Sequence, residues 1–98
     1  MKAQPLFNRR ILIAETVFVE LVAWKVQRPV PGSLHNYKYG LALVADGVCV
    51  LRYDNEAGKG DHRHWGGQET PYVFTDIDQL VVDFFNDVTR WRDEHGDV

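Results

Sequence analysis

The chain contains a single cysteine, so it cannot form an internal disulfide, and it has no cysteine pair that would indicate a structural zinc site. Cys49 lies in an apolar run, where cysteine packs as a small hydrophobic residue. No stretch approaches the roughly 20 apolar residues of a membrane helix. The first residues do not lead into the apolar segment of a signal peptide. These absences predict a protein of the reducing cytoplasm with no membrane segment.

The chain also lacks an excess of positive charge. Lys and Arg number 11 against 14 Asp and Glu, which gives a net charge of −3. This balance excludes a strongly basic nucleic-acid footprint over the whole chain but leaves room for a local basic site. With 98 residues and 45% hydrophobic content, the chain can bury one modest core. We therefore predict a single domain over residues 1–98.

Hydrophobic periodicity predicts strands at residues 9–14, 17–26, 35–45 and 48–54, with a further short strand at 72–74. Residues 17–26 are mainly apolar on both alternating faces, which predicts a central strand covered on both sides. Asp46-Gly47 is a strong signal for a two-residue hairpin turn, and Glu15-Thr16 is a weaker one. Proline and glycine at residues 29–33 break the sheet.

The C-terminal part of the chain predicts one amphipathic helix. Thr75 is the expected N-cap, with Asp78 as its capping-box partner, and Gly96 lies just past the expected end. The apolar positions follow a 3.6-residue period, and they are Ile77, Leu80, Val81, Phe84, Val88 and Trp91. The predicted fold is α+β, an antiparallel meander of four to five strands with one C-terminal helix packed on it.

Most of the reactive side chains lie in residues 52–64, Arg-Tyr-Asp-Asn-Glu-Ala-Gly-Lys-Gly-Asp-His-Arg-His. A segment this polar is expected to be exposed, because buried charges need partners, and we expect residues 65–71 to continue as loop. Arg52 is expected to pair with Asp54 or Glu20. If the third and fourth strands pair as a hairpin, His35 and Tyr37 approach Tyr53 and Asp54.

The two histidines of this segment are compatible with a metal site. His62 and His64 are separated by one residue, so on an extended backbone they point the same way. Together with Asp54, Asp61 or His35 they could bind a divalent ion such as zinc or manganese. We predict no other cofactor and leave the metal open.

A second interpretation is cleavage of an RNA phosphodiester, in which one histidine removes the 2′-hydroxyl proton and another group protonates the leaving 5′-oxygen. Lys59 and Arg63 would stabilise charge on the phosphoryl oxygens. The candidate catalytic residues are Tyr53, Asp54, Lys59, Asp61, His62, Arg63 and His64. The candidate substrate-binding residues are His35, Tyr37, Asn55, Glu56, Gly58, Gly60 and Trp65. Asn55 is also a natural turn cap, and for Trp65 the pattern favours covering the edge of the core over stacking on a base.

The runs Tyr53-Asp54-Asn55-Glu56 and Gly58-Lys59-Gly60-Asp61-His62-Arg63-His64 resemble the TumE family, toxins of prokaryotic toxin–antitoxin systems. The resemblance continues through Pro29-Val30-Pro31-Gly32-Ser33, Tyr37-Lys38-Tyr39 and an Asp-rich helix with Phe84-Phe85, so it covers nearly the full chain. It implies a type II toxin with a helix-turn-helix antitoxin as partner.

The resemblance implies no mechanism, so ribonuclease activity is a hypothesis from the residues alone. A non-enzymatic binding module and a nucleotide or group transfer to RNA remain alternatives. A homodimer is also left open, since the first predicted strand has an exposed edge.

Overall fold

The structure, a computed structural model, describes residues 3–55 and 58–96, which form six strands and one helix. In chain order these are β1 (Gln4–Ala14), β2 (Val17–Lys25), β3 (Tyr37–Ala45), β4 (Val48–Asp54), β5 (His62–Trp65), β6 (Gln68–Pro71) and α1 (Ile77–Glu94). Each strand pairs antiparallel with the next, from β1 at one edge to β6 at the other. The predicted α+β meander with a C-terminal helix is confirmed, but the sheet has more strands than the four to five predicted.

The additional strands come from the segment that was predicted to be loop. Residues 65–71 instead complete a hairpin, in which Gly66-Gly67 forms the turn and Trp65 pairs with Gln68. The prediction gave too much weight to polarity, because a Gly-Gly pair between extended residues is itself a hairpin signal. The expected strand at residues 72–74 is absent, and the chain runs from β6 to α1 without another strand.

The strand boundaries differ less from the prediction than the number of strands does. β1 begins at Gln4 rather than at residue 9, and β3 begins at Tyr37, which leaves His35 in the preceding loop. β4 has the predicted bounds. The turn between β3 and β4 is at Asp46-Gly47, whose φ angles of 51° and 80° are those that a type I′ turn requires.

The register of β3 and β4 contradicts one prediction. A shift in pairing between Leu43 and Val44 places Tyr53 opposite Leu41 and Asp54 opposite Gly40. His35 and Tyr37 therefore do not face Tyr53 and Asp54 across the pair. A regular turn at Asp46-Gly47 would already place Tyr53 opposite Gly40, so the predicted facing residues were set too far from the turn, and the irregularity moves each later pairing by one further residue.

The helix begins one residue later than expected. Asp76, rather than Thr75, is the N-cap, and its carboxylate accepts a hydrogen bond of 2.7 Å from the backbone N–H of Gln79. The predicted apolar stripe is confirmed by the buried residues Leu80, Phe84, Val88 and Trp91. Gly96 follows the C-cap His95, as expected.

The helix lies against one side of the sheet, which we call the helix face. Its residues alternate along the strands with those of the opposite side, the open face. The core lies between the helix face and α1 and consists of Val17, Val19, Leu21, Ala23, Tyr39, Leu41, Leu43, Ala45, Leu51, Tyr53 and the buried residues of α1. The open face carries Phe18, Glu20, Val22, Trp24, Lys38, Gly40, Ala42, Arg52, Asp54, His62 and His64.

The open face of β2 is only half-buried, at Phe18, Val22 and Trp24. The prediction that β2 is covered on both sides is therefore wrong. The alternation was read correctly, but apolar content on both faces does not require a second layer, because much of a folded protein's surface is apolar.

Candidate functional site

The loop before β3 and the loop before β5 lie in close contact at Gly32 and Gly60. The backbone N–H of Gly58 donates to the carbonyl of Pro31 at 2.9 Å. A Cβ atom at Gly32 would lie 2.5 Å from the nitrogen of Gly60, and one at Gly60 would lie 2.7 Å from the oxygen of Gly32. Both residues also have positive φ, at 95° and 74°. The close contact therefore requires glycine at both positions, and it fixes where β5 starts.

Four side chains meet on the open face where β4, β5 and β6 lie side by side. We call Asp54, His62, His64 and Glu69 the histidine cluster. Asp54 pairs with His62 across β4 and β5, and His64 pairs with Glu69 across β5 and β6. Glu69 Oε2 lies 3.0 Å from His64 Nε2 and 3.3 Å from His62 Nε2. The Nε2 of His62 also contacts Asp54 Oδ1, and the two imidazole centroids are 5.0 Å apart.

A cation flanks the cluster on each side. Arg52 Nε donates to Asp54 Oδ2 at 2.5 Å, which confirms one of its two predicted partners. Lys59 Nζ lies 3.6 Å from Glu69 Oε2 and is largely exposed. A surface cavity of about 340 Å³ lies beside the cluster, lined by Lys59, Asp61, His62, Glu69, Thr70 and Pro71. His62 is thus a buried residue that borders a space open to ligands.

The contacts of His62 define where its proton lies. Nδ1 is 2.9 Å from the carbonyl oxygen of Gly60. A carbonyl can only accept, so this contact requires a hydrogen on Nδ1, and only in a neutral ring does Nε2 then carry the lone pair. This nitrogen is the atom that faces Asp54 and Glu69.

A second group, the Asp61 cluster, lies at the start of β3 and consists of Ser33, His35, Tyr39 and Asp61. The carboxylate of Asp61 accepts hydrogen bonds from Ser33 Oγ, His35 Nε2 and Tyr39 OH, each at 2.7 Å. His35 Nδ1 accepts the backbone N–H of Tyr37 at 3.2 Å, and the ring stacks on Phe74 with centroids 3.8 Å apart. Burial, then the hydrogen bond to Asp61, raises the pKa of Tyr39 well above its ordinary value, so this phenol stays a donor.

Asn55 is fully buried and joins the end of β4 to the start of β3. Its Oδ1 accepts from the backbone N–H of Tyr39 at 3.0 Å, and its Nδ2 donates to Tyr37 O at 2.7 Å and to Ser33 Oγ at 3.2 Å. Three bonds engage most of the capacity of this amide. All three partners are distant in sequence, so Asn55 joins two strands and the preceding loop, and the expected cap of its own turn is not what these bonds form.

The remaining aromatic and basic candidates lie on the helix face. Tyr53 OH and Arg63 Nε both donate to Asp87 Oδ2 of α1 at 2.6 Å. The guanidinium of Arg63 lies 5.1 Å from the ring centroid of Trp65, which packs against the core. Burial, then the hydrogen bond to Asp87, raises the pKa of Tyr53. The hydrogen bond to Asp87 likewise raises the pKa of Arg63.

A comparison with protein families finds a match over residues 4–92 to the family described as Toxin TumE. The chain belongs to the TumE toxin family. The match includes all six strands and both polar clusters. Neither the curated proteins nor the solved structures compared contain a match to the chain. Membership of a toxin family implies an antitoxin partner, and no helix among the described residues is long and apolar enough to cross a membrane.

The structure separates the candidate residues of this TumE toxin into three places. Asp54, His62 and His64 come together on the open face, with Lys59 at the rim of the cavity. Asp61, His35, Tyr37 and Asn55 form the second group with the loop glycines, and Tyr53, Arg63 and Trp65 lie on the helix face. Glu56 lies outside the described residues. Glu69 was missed, although a hairpin prediction at Gly66-Gly67 would have placed it opposite His64.

Proposed function

We propose that this TumE toxin acts on RNA and that the histidine cluster cleaves a phosphodiester by acid–base catalysis. The observation that supports this proposal is the pair of imidazoles, 5.0 Å apart between centroids, each with a carboxylate at Nε2. Cleavage next to a 2′-hydroxyl needs one group that accepts a proton and another that donates one. Two histidines in different environments supply both roles.

In this scheme His62 is the acid and His64 is the base. The ring nitrogen of His64 that does not face Glu69 accepts the proton of the 2′-hydroxyl while the 2′-oxygen attacks phosphorus. The bond from phosphorus to the 5′-oxygen breaks, and the leaving oxygen takes the proton that His62 Nε2 holds beside Asp54. The products are a 2′,3′-cyclic phosphate and a 5′-hydroxyl. Glu69, within 3.3 Å of both Nε2 atoms, orients the two rings.

Of the two cations that the sequence indicated for the phosphoryl charge, Lys59 keeps this role in our proposal and Arg63 does not. Arg63 is bonded to Asp87 on the other side of the sheet. Lys59 lines the cavity next to His62, and Arg52 lies behind Asp54. Lys59 is the exposed cation of the two and is the one we assign to the phosphate. With a net charge of −3, general attraction to RNA is weak, so binding should depend little on salt.

The test is induction of the wild-type toxin without its antitoxin, beside His64→Ala and Lys59→Ala variants. His95→Ala is the matched control, because His95 is exposed and stacks on Trp91 at the end of α1. We expect growth arrest and RNA fragments with cyclic-phosphate ends for wild type and His95→Ala. Neither should occur for His64→Ala or Lys59→Ala at equal protein level.

Other outcomes would separate the alternative functions. Arrest by the wild type with intact RNA would contradict cleavage, and incorporation of a labelled nucleotide into RNA would then identify group transfer. A binding module would show a different pattern, in which the cluster variants lose antitoxin binding and toxicity together. Under our proposal His64→Ala still binds the antitoxin, which co-purification would measure.

A further inference from the structure

We propose that the histidine cluster binds one divalent transition-metal ion of the zinc class. The ligands would be Asp54, His62 and His64, each of which offers one ligand atom within 4.8 Å of the other two. Two imidazoles and a carboxylate are a common protein ligand set for zinc, manganese or ferrous iron.

The first argument is the state of Asp54. Its side chain is 5% exposed, and Arg52 bonds the other oxygen, Oδ2. Oδ1 is buried and accepts no hydrogen bond from the described residues. His62 Nε2 touches it, but without the geometry of a hydrogen bond. A buried carboxylate oxygen without a donor is costly, and a bound cation would satisfy it.

The second argument is the orientation of His62. Because Nδ1 donates to the carbonyl of Gly60, the neutral ring presents its Nε2 lone pair to Asp54 Oδ1. Two lone pairs that face each other need a positive charge between them, either a proton or a metal ion. A backbone carbonyl at the second ring nitrogen is also the usual outer contact of a metal-binding histidine, since it fixes the tautomer. The Arg52 contact at Oδ2 fixes the carboxylate in the same way.

Glu69 supplies a fourth ligand. Its Oε2 lies 3.0 Å from His64 Nε2 and 3.3 Å from His62 Nε2. Bonds of about 2.0–2.1 Å in a tetrahedral zinc site separate neighbouring ligand atoms by about 3.3–3.4 Å. Both distances are close to that spacing. The contact between His62 Nε2 and Asp54 Oδ1 is shorter than it, so these two ligands would have to move apart as the ion binds.

Metal binding has a consequence that rests on the proposed function, although binding itself does not. The proposed reaction needs a proton on His62 Nε2. A nitrogen that donates its lone pair to a metal ion cannot hold that proton. We therefore expect the metal-bound toxin to be inactive in the acid–base reaction, which makes the ion a regulator of the site.

Binding is tested on purified metal-free protein by calorimetry with Zn²⁺ and by the visible absorption of bound Co²⁺. We expect one ion per chain with a tetrahedral Co²⁺ spectrum. His64→Ala and Glu69→Gln should weaken binding by about tenfold or more, while the His95→Ala control binds like wild type. Melting temperatures identify any variant that fails to fold. If His64→Ala does not fold, Glu69→Gln, which lies at a more exposed position, tests the site in its place. No ion bound by the wild type, or equal affinity in wild type and both cluster variants, would overturn the site.

RNA cleavage is measured on the same samples with and without one equivalent of Zn²⁺. Loss of cleavage on loading supports the regulatory role. Cleavage only in the presence of metal overturns that role and leaves the site intact. If Zn²⁺ binds and no RNA is cleaved in either state, the proposed function fails and the metal site stands. If the wild type cleaves RNA and binds no Zn²⁺, the metal site fails and the proposed function stands.

Discussion

On the helix face, Arg63 and Tyr53 both donate to one carboxylate, Asp87, which belongs to α1. On the open face, the neighbours of Arg63 in sequence, His62 and His64, have carboxylate partners within the sheet itself. Residues of one short strand thus serve two sites, because successive side chains of a strand point to opposite faces.

The two faces differ in how completely their polar groups are satisfied. Asp87 joins β4 and β5 to the helix, so its bonds hold two layers together. Asp54 on the open face leaves one buried oxygen without a hydrogen bond from the described residues. Incompletely satisfied buried groups are uncommon where structure alone is served. The bonds of Asp87 therefore hold the sheet to the helix, whereas Asp54 keeps an oxygen that a ligand could still reach in our proposal.

The largest expected effect comes from removing the same residue type on each face. Phe84 is fully buried beneath the helix face, and Phe84→Ala should lower the free energy of unfolding by about 3–5 kcal/mol. Phe18 is half-buried on the open face, with Arg10 over its ring at 4.4 Å. Phe18→Ala should cost about 1–2 kcal/mol, because less apolar surface is lost. Urea denaturation measures both, and equal losses would mean that the open face is covered in solution.

A smaller effect is expected from two variants, one of which should lower stability and the other RNA cleavage. Asp87→Ala leaves Arg63 and Tyr53 without their shared acceptor, and we expect a loss of about 1–3 kcal/mol in the free energy of unfolding. Toxicity per folded molecule should not change, since the residue lies on the opposite face from the histidine cluster. Glu69→Gln should do the reverse, with little loss of stability and loss of RNA cleavage. Denaturation and cleavage assays on the two variants would contradict the division if both properties fell together.

The smallest effect is on alkaline stability. Burial is the main cause that raises the pKa of Tyr39, Tyr53 and Tyr72, with hydrogen bonds to Asp61, Asp87 and Asp83 next. An unfolded tyrosine loses its proton near pH 10, whereas the folded protein keeps it to higher pH. The stability from these groups is therefore fully present below about pH 10 and falls as the pH rises further.

Tyr53→Phe tests this on the helix face. Above pH 10 its stability should fall less steeply than that of wild type, by at most about 1.4 kcal/mol per pH unit. Thermal denaturation between pH 9 and about 11.5 measures the slope. Tyr37→Phe is a suitable control, since the ring of Tyr37 is partly exposed. An identical slope for wild type and Tyr53→Phe would show that Tyr53 titrates normally.

Local signals predicted much of the fold. The Asp46-Gly47 turn, the bounds of β4 and the apolar stripe of α1 all follow from patterns within a few residues, where backbone preference and periodicity decide. The hairpin of β5 and β6 was missed because its strands are short and polar. Their apolar contribution is small, so the sheet is extended there by backbone hydrogen bonding and by the preceding strand rather than by hydrophobic pattern.

The sequence by itself determined the α+β class, the meander, the family and the concentration of reactive residues in residues 52–64. Those depend on composition, order and local propensity. Only the tertiary structure decided which of these residues lie together. The pairing shift near Leu43 sets what Asp54 faces, the helix binds Arg63 and Tyr53 away from the histidine cluster, and the second hairpin places Glu69 beside it. Register and layer order are long-range properties, and a shift of one residue exchanges the two faces of a strand.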